Sequence, residues 1–275
     1  MKPHCYHDGK IVPTEKATLP VTDLAVLRGY GVFDFLKTVN GKPFLWKEHW
    51  RRLQRSAKLL GMKIPLPEKA VREAIDRLLA KNEGEDCNIR LLLTGGVARN
   101  GLLVDEPRLY VLSEPIQMLP RKVFEKGAKV IRCAHERIVP EAKTTDYLAA
   151  VRLQKERIRA GAVEILYVVH GRVLECSTSN FFLVKDGRLI TARDAVLLGT
   201  TRNLVLDLAK KAGIVFEERD VAETELASAE EAFLTATNKN IVPVVQVDDL
   251  AIGNGKPGVV TRRLMTLSAD YMARY

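Results

Sequence analysis

Lys143 stands in the run Val139-Pro140-Glu141-Ala142-Lys143-Thr144-Thr145-Asp146-Tyr147. A lysine is ordinarily a solvated surface cation. Here Pro140 restricts the approach, and the run lies between an apolar strand and an amphipathic helix, where an amine can lose its proton and attack a carbonyl. A second run, Glu175-Cys176-Ser177-Thr178-Ser179-Asn180, directly precedes the apolar Phe181-Phe182-Leu183-Val184. It reads as a Ser/Thr-rich turn, or as a carboxylate at the edge of a pocket with hydroxyls and an amide around it. Leu197-Leu198-Gly199-Thr200-Thr201-Arg202 opens a helical pattern. Its N–H groups and hydroxyls at the positive end of a helix suit a phosphate, and suit a plain N-cap equally. Thr235-Ala236-Thr237-Asn238, after a strand, has the same two readings. Among the arginines, Arg52 lies beside the apolar stripe of its helix, Arg28 precedes Gly29-Tyr30-Gly31, and Arg90 is inside Ile89-Arg90-Leu91-Leu92. A guanidinium facing a core unpaired is costly, so Arg90 either faces water or serves an anion.

The elements that must position these residues fall into two halves. Turn pairs at Asp8-Gly9 and Asn40-Gly41 mark hairpins, the second joining Gly31–Val39 to Lys42–Leu45. Trp46, Trp50, Leu53, Ala57 and Leu60 then fall at helical spacing, with Gly61 at the C-cap, and a second helix follows Pro67. Strands over 88–94 and 108–112 flank a Gly-rich loop, Gly95 to Pro107. These form an α+β domain over residues 1–115. Pro115 and Pro120 and the absence of a period put a linker at 116–127. Residues 128–275 restart with a strand, a helix from about Thr145 to Ala160, further strands and hairpins, a helix over 202–212 and a terminal helix after Pro257. The fold class is α/β: a small α+β domain and a larger α/β domain.

Composition narrows the function classes. The 275 residues are 47% apolar, 28% charged and 6% aromatic, the balance of a globular chain rather than a fibrous or disordered one. No apolar run reaches the roughly 18 residues of a membrane helix, and the start has no stretch of signal-peptide length; a cytoplasmic protein with no membrane partner is expected. Four cysteines stand singly and five histidines are dispersed, so neither a zinc site nor a disulfide frame is expected, and the metal expectation is none. The net charge of +9 comes from 43 Lys and Arg interleaved with 34 Asp and Glu. Without a basic tail or an aromatic RNA-binding signature, that surplus argues for surface and a few anion-binding arginines, and against a nucleic-acid partner.

Taken in order, six segments resemble the class IV, branched-chain and D-amino-acid type, pyridoxal-phosphate aminotransferases: Arg28 to Asp34, Glu48 to Leu53, Lys143 with Tyr147, Glu175 to Asn180, Leu198 to Arg202, and Phe233 to Thr237. The resemblance spans essentially the whole chain and implies the family's fold type IV, in which the larger α/β domain is barrel-like, pyridoxal 5'-phosphate as cofactor, and a homodimer. It implies that Lys143 carries the cofactor as a Schiff base and then shuttles the proton, while Glu175 keeps the pyridine nitrogen protonated. Arg52, Gly199, Thr200, Thr201 and Thr237 would hold the phosphate. Leu197 would pack on the ring, Tyr147 would reach the phenolic oxygen, and Ser179 and Asn180 would support Glu175 and the ring.

For substrate, Arg28 and Arg90 are the carboxylate-binding candidates, with Phe33 beside them. The familiar D-amino-acid type has a tyrosine at Phe33 and an Arg-x-His trap, where this chain reads Ala98-Arg99-Asn100-Gly101. The branched-chain type shares a Phe like Phe33 and an Ile-Arg pair like Ile89-Arg90, but carries Gly-Ile-Arg in place of Phe35-Leu36-Lys37. The opening Arg28–Asp34 and the strand end Leu93-Thr94-Gly95-Gly96 resemble a less common D-amino-acid transaminase subgroup. The expectation is amino transfer between D-amino acids and 2-keto acids. The alternatives are a branched-chain L-amino-acid aminotransferase or an aminodeoxychorismate lyase of the same fold.

Overall fold

The computed structural model describes residues 1–82, 85–98 and 100–275, so Arg99 lies outside the described residues. They form two compact units, Met1–Gln117 with Ala142–Asp146, and Met118–Glu141 with Tyr147–Tyr275.

In the first unit, strands β1 (His4–His7), β2 (Lys10–Pro13), β3 (Gly31–Val39), β4 (Lys42–Pro43), β5 (Cys87–Thr94) and β6 (Arg108–Pro115) make one antiparallel sheet, ordered β2-β1-β6-β5-β3-β4. Helices α1 (Leu24–Arg28), α2 (Trp46–Leu59) and α3 (Glu68–Lys81) complete it. The period-2 alternation of β3 and β5 sends Val32, Leu36, Ile89, Leu91 and Leu93 to one core with Trp50, Leu53, Ile75 and Leu78 of α2 and α3. Phe33, Phe35 and Arg90 fall on the alternate positions, with Phe35 opposite Arg90 in the register. α1 has too few turns to show a period. It is held by the buried Asp23, whose carboxylate accepts from Ala25 N at 2.8 Å and from Thr94 Oγ1 at 2.8 Å.

In the second unit, α4 (Arg121–Lys126) lies within the stretch read as a linker. The sheet that follows contains β7 (Ala128–Cys133), β8 (Glu164–Val169), β9 (Arg172–Cys176), β10 (Asn180–Lys185), β11 (Arg188–Thr191), β12 (Phe216–Glu218), β13 (Val221–Ala222), β14 (Glu231–Ala236) and β15 (Asn240–Val247), with β16 (Leu250–Ala251) paired to β15. Its order is β12-β11-β10-β14-β15-β7-β8-β9-β13. In a flat sheet, β9 and β10 would lie five strand spacings apart, roughly 24 Å. Instead Cys176 N donates to Ser179 O at 2.7 Å across the short β9–β10 connection. Inner side chains of both strands, Val173, Cys176, Phe181 and Leu183, share one core with Val130, Leu166, Leu234 and Val242. The sheet is therefore curled into a half-barrel. Its outer face is also apolar: Phe182 and Phe233 stack with centroids 4.8 Å apart under α7 (Thr200–Lys211) and α8 (Val259–Ala273). Burial of both faces explains the unbroken apolar runs of its strands.

The single helix expected over 145–160 is two, α5 (Leu148–Arg152) and α6 (Gln154–Arg159). Thr144 bridges Val32 of β3, and Thr145 N donates to Gly31 O at 2.9 Å, so these residues belong to a sheet edge and cannot begin a helix. Among the described residues no helix is long and apolar enough to cross a membrane, and no group of three or more His, Cys, Asp or Glu could hold a metal.

Candidate active site

In the first unit the site is built by one face of α2. His49, Arg52 and Ser56 recur at three- and four-residue spacing beside the stripe of Trp46, Trp50, Leu53 and Ala57, and all three are buried. The carboxylate of Asp34, from β3, accepts from His49 Nδ1 at 2.6 Å and from Arg52 Nε and Nη2 at 2.8 Å each. Burial alone would raise Asp34, but Arg52 and His49 outweigh it and hold the acid well below the usual carboxylate range. Burial also lowers His49, against the pull of Asp34, which leaves a neutral ring donating from Nδ1. Asp34 occupies one edge of the Arg52 guanidinium, so Arg52 points in a fixed direction with Nη1 remaining for an anion.

Ser56, one turn further along α2, accepts from Lys143 N at 3.0 Å. Phe33 N donates to Lys143 O at 2.9 Å, and Thr145 Oγ1 donates to Gly29 O at 2.8 Å. The Ala142–Asp146 segment is thus laced to β3 and α2. Gly31 brings this edge close, because a Cβ there would stand 3.1 Å from Leu93 O and 3.2 Å from Thr145 Oγ1, and a side chain would fit only if these neighbours gave by a few tenths of an ångström. Lys143 Nζ lies 4.6 Å from the Phe33 ring centroid. The Arg90 guanidinium lies 5.1 Å from the same ring and 4.8 Å from that of Phe35, and its Nε donates to Glu114 Oε1 at 2.8 Å. One aromatic ring therefore contacts both the candidate nucleophile and a half-buried cation. Arg28 is exposed at the end of α1 and donates to Leu27 O at 2.9 Å.

In the second unit Glu175 is buried at the end of β9. Its Oε1 accepts from Arg137 Nε at 3.0 Å, and its Oε2 accepts from Asn180 Nδ2 and Leu197 N, each at 3.2 Å. Asn180 Nδ2 also donates to Leu197 O at 2.6 Å. Arg137 lies 5.2 Å from the Tyr147 ring and 5.7 Å from that of Tyr167, and donates to Ser177 O at 2.6 Å. α7 begins at Thr200 with Gly199 as its N-cap. A Cβ on Gly199 would fall 2.2 Å from Asn180 Oδ1, so only glycine lets the helix start this close to the Glu175 cluster. Thr235 Oγ1, opposite Asn180 in the register, is buried without a hydrogen-bond partner. Thr237 lies in the turn between β14 and β15, and Ser179 is buried in the turn between β9 and β10.

The sequence-derived candidates thus gather as Lys143, Phe33 and Arg90 with Arg52 in the first unit, and Glu175, Asn180, Leu197 and Gly199 with Tyr147 in the second. Asp34, His49, Ser56, Arg137 and Glu114 were not among them. The spacing of His49, Arg52 and Ser56 beside the apolar stripe of a half-buried helix is the signal that could have found the first cluster.

Residues 31–247 match the family described as amino-transferase class IV, and the chain belongs to it. It is a class IV aminotransferase with the fold-type IV architecture. It is 31% identical to the D-alanine aminotransferase of Listeria monocytogenes, over 96% of this chain and 94% of that one. It is 32% identical to a putative branched-chain-amino-acid aminotransferase of Methanocaldococcus jannaschii, over 98% and 96%. The T.th. branched-chain amino acid aminotransferase, solved with pyridoxamine 5'-phosphate, superposes with a TM-score of 0.91 at 29% identity, over 99% and 94% of the two chains.

Proposed function

We propose that this aminotransferase carries pyridoxal 5'-phosphate and exchanges amino groups between D-amino acids and 2-keto acids in a ping-pong cycle. The residues fit that cofactor. They include a lysine fixed by its own backbone, a buried carboxylate held by three donors, a glycine-capped helix start with two threonines, a buried threonine hydroxyl without a partner, and an arginine aimed by Asp34. When bound, the cofactor takes up the amino group and its protonated ring spreads the negative charge left at the substrate Cα.

Lys143 would hold the cofactor and move the Cα proton. Glu175, kept in place by Arg137, Asn180 and Leu197 N, would hold the ring nitrogen's proton. Arg52, Gly199, Thr200, Thr201 and Thr237 would bind the phosphate. Tyr147 would meet the phenolic oxygen, Leu197 would cover the ring, and Ser179 and Asn180 would support Glu175.

The observation that carries the substrate reading is the Phe33 ring shared by Lys143 and Arg90, which sets a fixed cation for a carboxylate near the reacting amine. Similarity to D-alanine aminotransferases supports the D-amino-acid form. The Ile89-Arg90 pair and the branched-chain relatives favour branched-chain L-amino acids as the second reading. The proposal extends to a cytoplasmic homodimer. The exposed Val21, Val26, Leu27, Leu102 and Leu103 of the first unit are apolar surface that a second copy would cover, and Arg28, on the same exposed stretch, would bind carboxylate there.

Absorbance of the cofactor-loaded enzyme decides among these. D-alanine or D-glutamate is expected to shift the visible band without any acceptor. A shift with L-leucine and no D-amino acid would select the branched-chain reading. Pyruvate release from aminodeoxychorismate without a keto acid would select the lyase.

A further inference from the structure

Glu164 and Lys239 centre a second buried charge cluster in the larger unit, and neither has a role assigned above. Glu164, the first residue of β8, is 2% exposed. Its Oε1 accepts from Lys239 Nζ at 2.5 Å, from Ser179 Oγ at 2.8 Å and from Thr178 Oγ1, and its Oε2 accepts from Ser177 Oγ at 2.5 Å. Three successive hydroxyls thus converge on one carboxylate. Lys239 lies in a hairpin turn, where a lysine is ordinarily solvated. Its side chain is only 14% exposed, and Nζ also donates to Thr178 Oγ1 at 2.6 Å.

The network joins three places in the fold. They are the start of β8, the Ser177–Ser179 connection between Glu175 and Asn180, and the β14–β15 turn that carries Thr237. Antiparallel pairing of β10 with β14, with Asn180 opposite Thr235, brings the two turns side by side, and beyond that pair each is closed by its own backbone bond, Cys176 N to Ser179 O at 2.7 Å and Lys239 N to Ala236 O at 3.3 Å. A buried ion pair is a poor source of net stability, since apolar residues of similar volume commonly serve as well or better. Four hydroxyl and ammonium donors on one acid do something apolar packing cannot, which is to fix the relative position of two polar turns.

We infer that Glu164 and Lys239 are a positioning pair that locks the Ser177–Asn180 and Thr237–Lys239 turns together and thereby sets how tightly the enzyme retains its phosphate-bearing cofactor. The inference rests on the pyridoxal-phosphate reading above. Neither residue touches a reacting group; both act through the turns that carry Ser179, Asn180 and Thr237. Burial would raise Glu164, but Lys239 and the hydroxyls outweigh it and bring the acid down to about 2, so the carboxylate stays charged under ordinary conditions.

The test is titration of the apo-protein with pyridoxal 5'-phosphate, read by fluorescence quenching, beside the thermal midpoint of the same apo-protein. Partners that orient ligating groups are typically worth about 10- to 100-fold. Lys239→Met is expected to raise the cofactor dissociation constant by about tenfold or more, with kcat at saturating cofactor changed far less, and Lys239→Arg is expected to recover most of the loss. Should Lys239→Met fail to fold because Glu164 is left unpaired, the double variant Glu164→Gln/Lys239→Met removes both charges and is read in the same way. A lowered apo midpoint with an unchanged dissociation constant would overturn the inference and make the pair purely structural. Wild-type protein that binds no cofactor at all would instead overturn the reading on which it rests.

Discussion

Asp34 is a fully buried carboxylate that survives as an anion because two donors from one helix face meet it. Arg52 thereby keeps its direction. A long arginine held by a bidentate pair loses little further freedom when an anion arrives. Arg90 is held differently, by Glu114 and two phenyl rings at half burial, so it can exchange or share its carboxylate. Arg90→Ala is expected to raise KM for both amino and keto acids by about 10- to 100-fold, the range for losing a charge-assisted bond. Cofactor affinity should stay near that of the parent protein. Equal losses in cofactor and substrate binding would make Arg90 a structural residue. Lys143, Glu175 and the Gly199-Thr200-Thr201 step were legible as residues because each stands in a distinctive local run. Asp34–His49–Arg52 and Arg137–Glu175 were not, because each pairs residues whose meeting is decided by tertiary packing. No local run marks Arg137 as the partner of Glu175, 38 positions away.

At the scale of elements, the period of the chain revealed α2 and α3, which each bury one clear stripe, while the half-barrel strands were legible as unbroken apolar runs between turns because both of their faces are buried. The 145–160 region misled for a physical reason. Its apolar spacing is helical, but Thr144 and Thr145 are drawn into pairing with β3, and the remaining helix breaks at Leu153. α1 was missed because its five residues are too few to show a period and its cap, Asp23, is recognised only beside Thr94. Two of the buried acids bear on stability in acid. Glu164 is held down to about 2 from an ordinary 4.5, and Asp34 is lowered as well. The unfolded chain therefore takes up these protons at higher pH than the folded one. Their stabilisation is complete above about pH 4.5 and is lost as pH falls toward the folded values. Denaturant unfolding midpoints are expected to drop across that window in the parent protein and less steeply in Glu164→Gln. Parallel curves would show that Glu164 contributes nothing to the acid limb.

At the scale of the whole molecule, two architectures divide the work. The first unit brings the Lys143 amine, Arg52 and Arg90 onto one sheet and its covering helix. The half-barrel brings a buried acid, a helix start and two polar turns to the region where β9, β10 and α7 begin or end. Both were foreseeable as an α+β half and a barrel-like half. The strand order behind the curl was not, since only the packing of β9 against β10 reveals it.

The central claim is that the Lys143 amine holds an aldehyde cofactor, and borohydride reduction of the loaded enzyme followed by trypsin and mass measurement tests it most directly. Reduction should fix one pyridoxyl phosphate on Lys143 and block cleavage there, leaving residues 138–152 as a single labelled peptide. Label on any other peptide, or on none, would contradict the account.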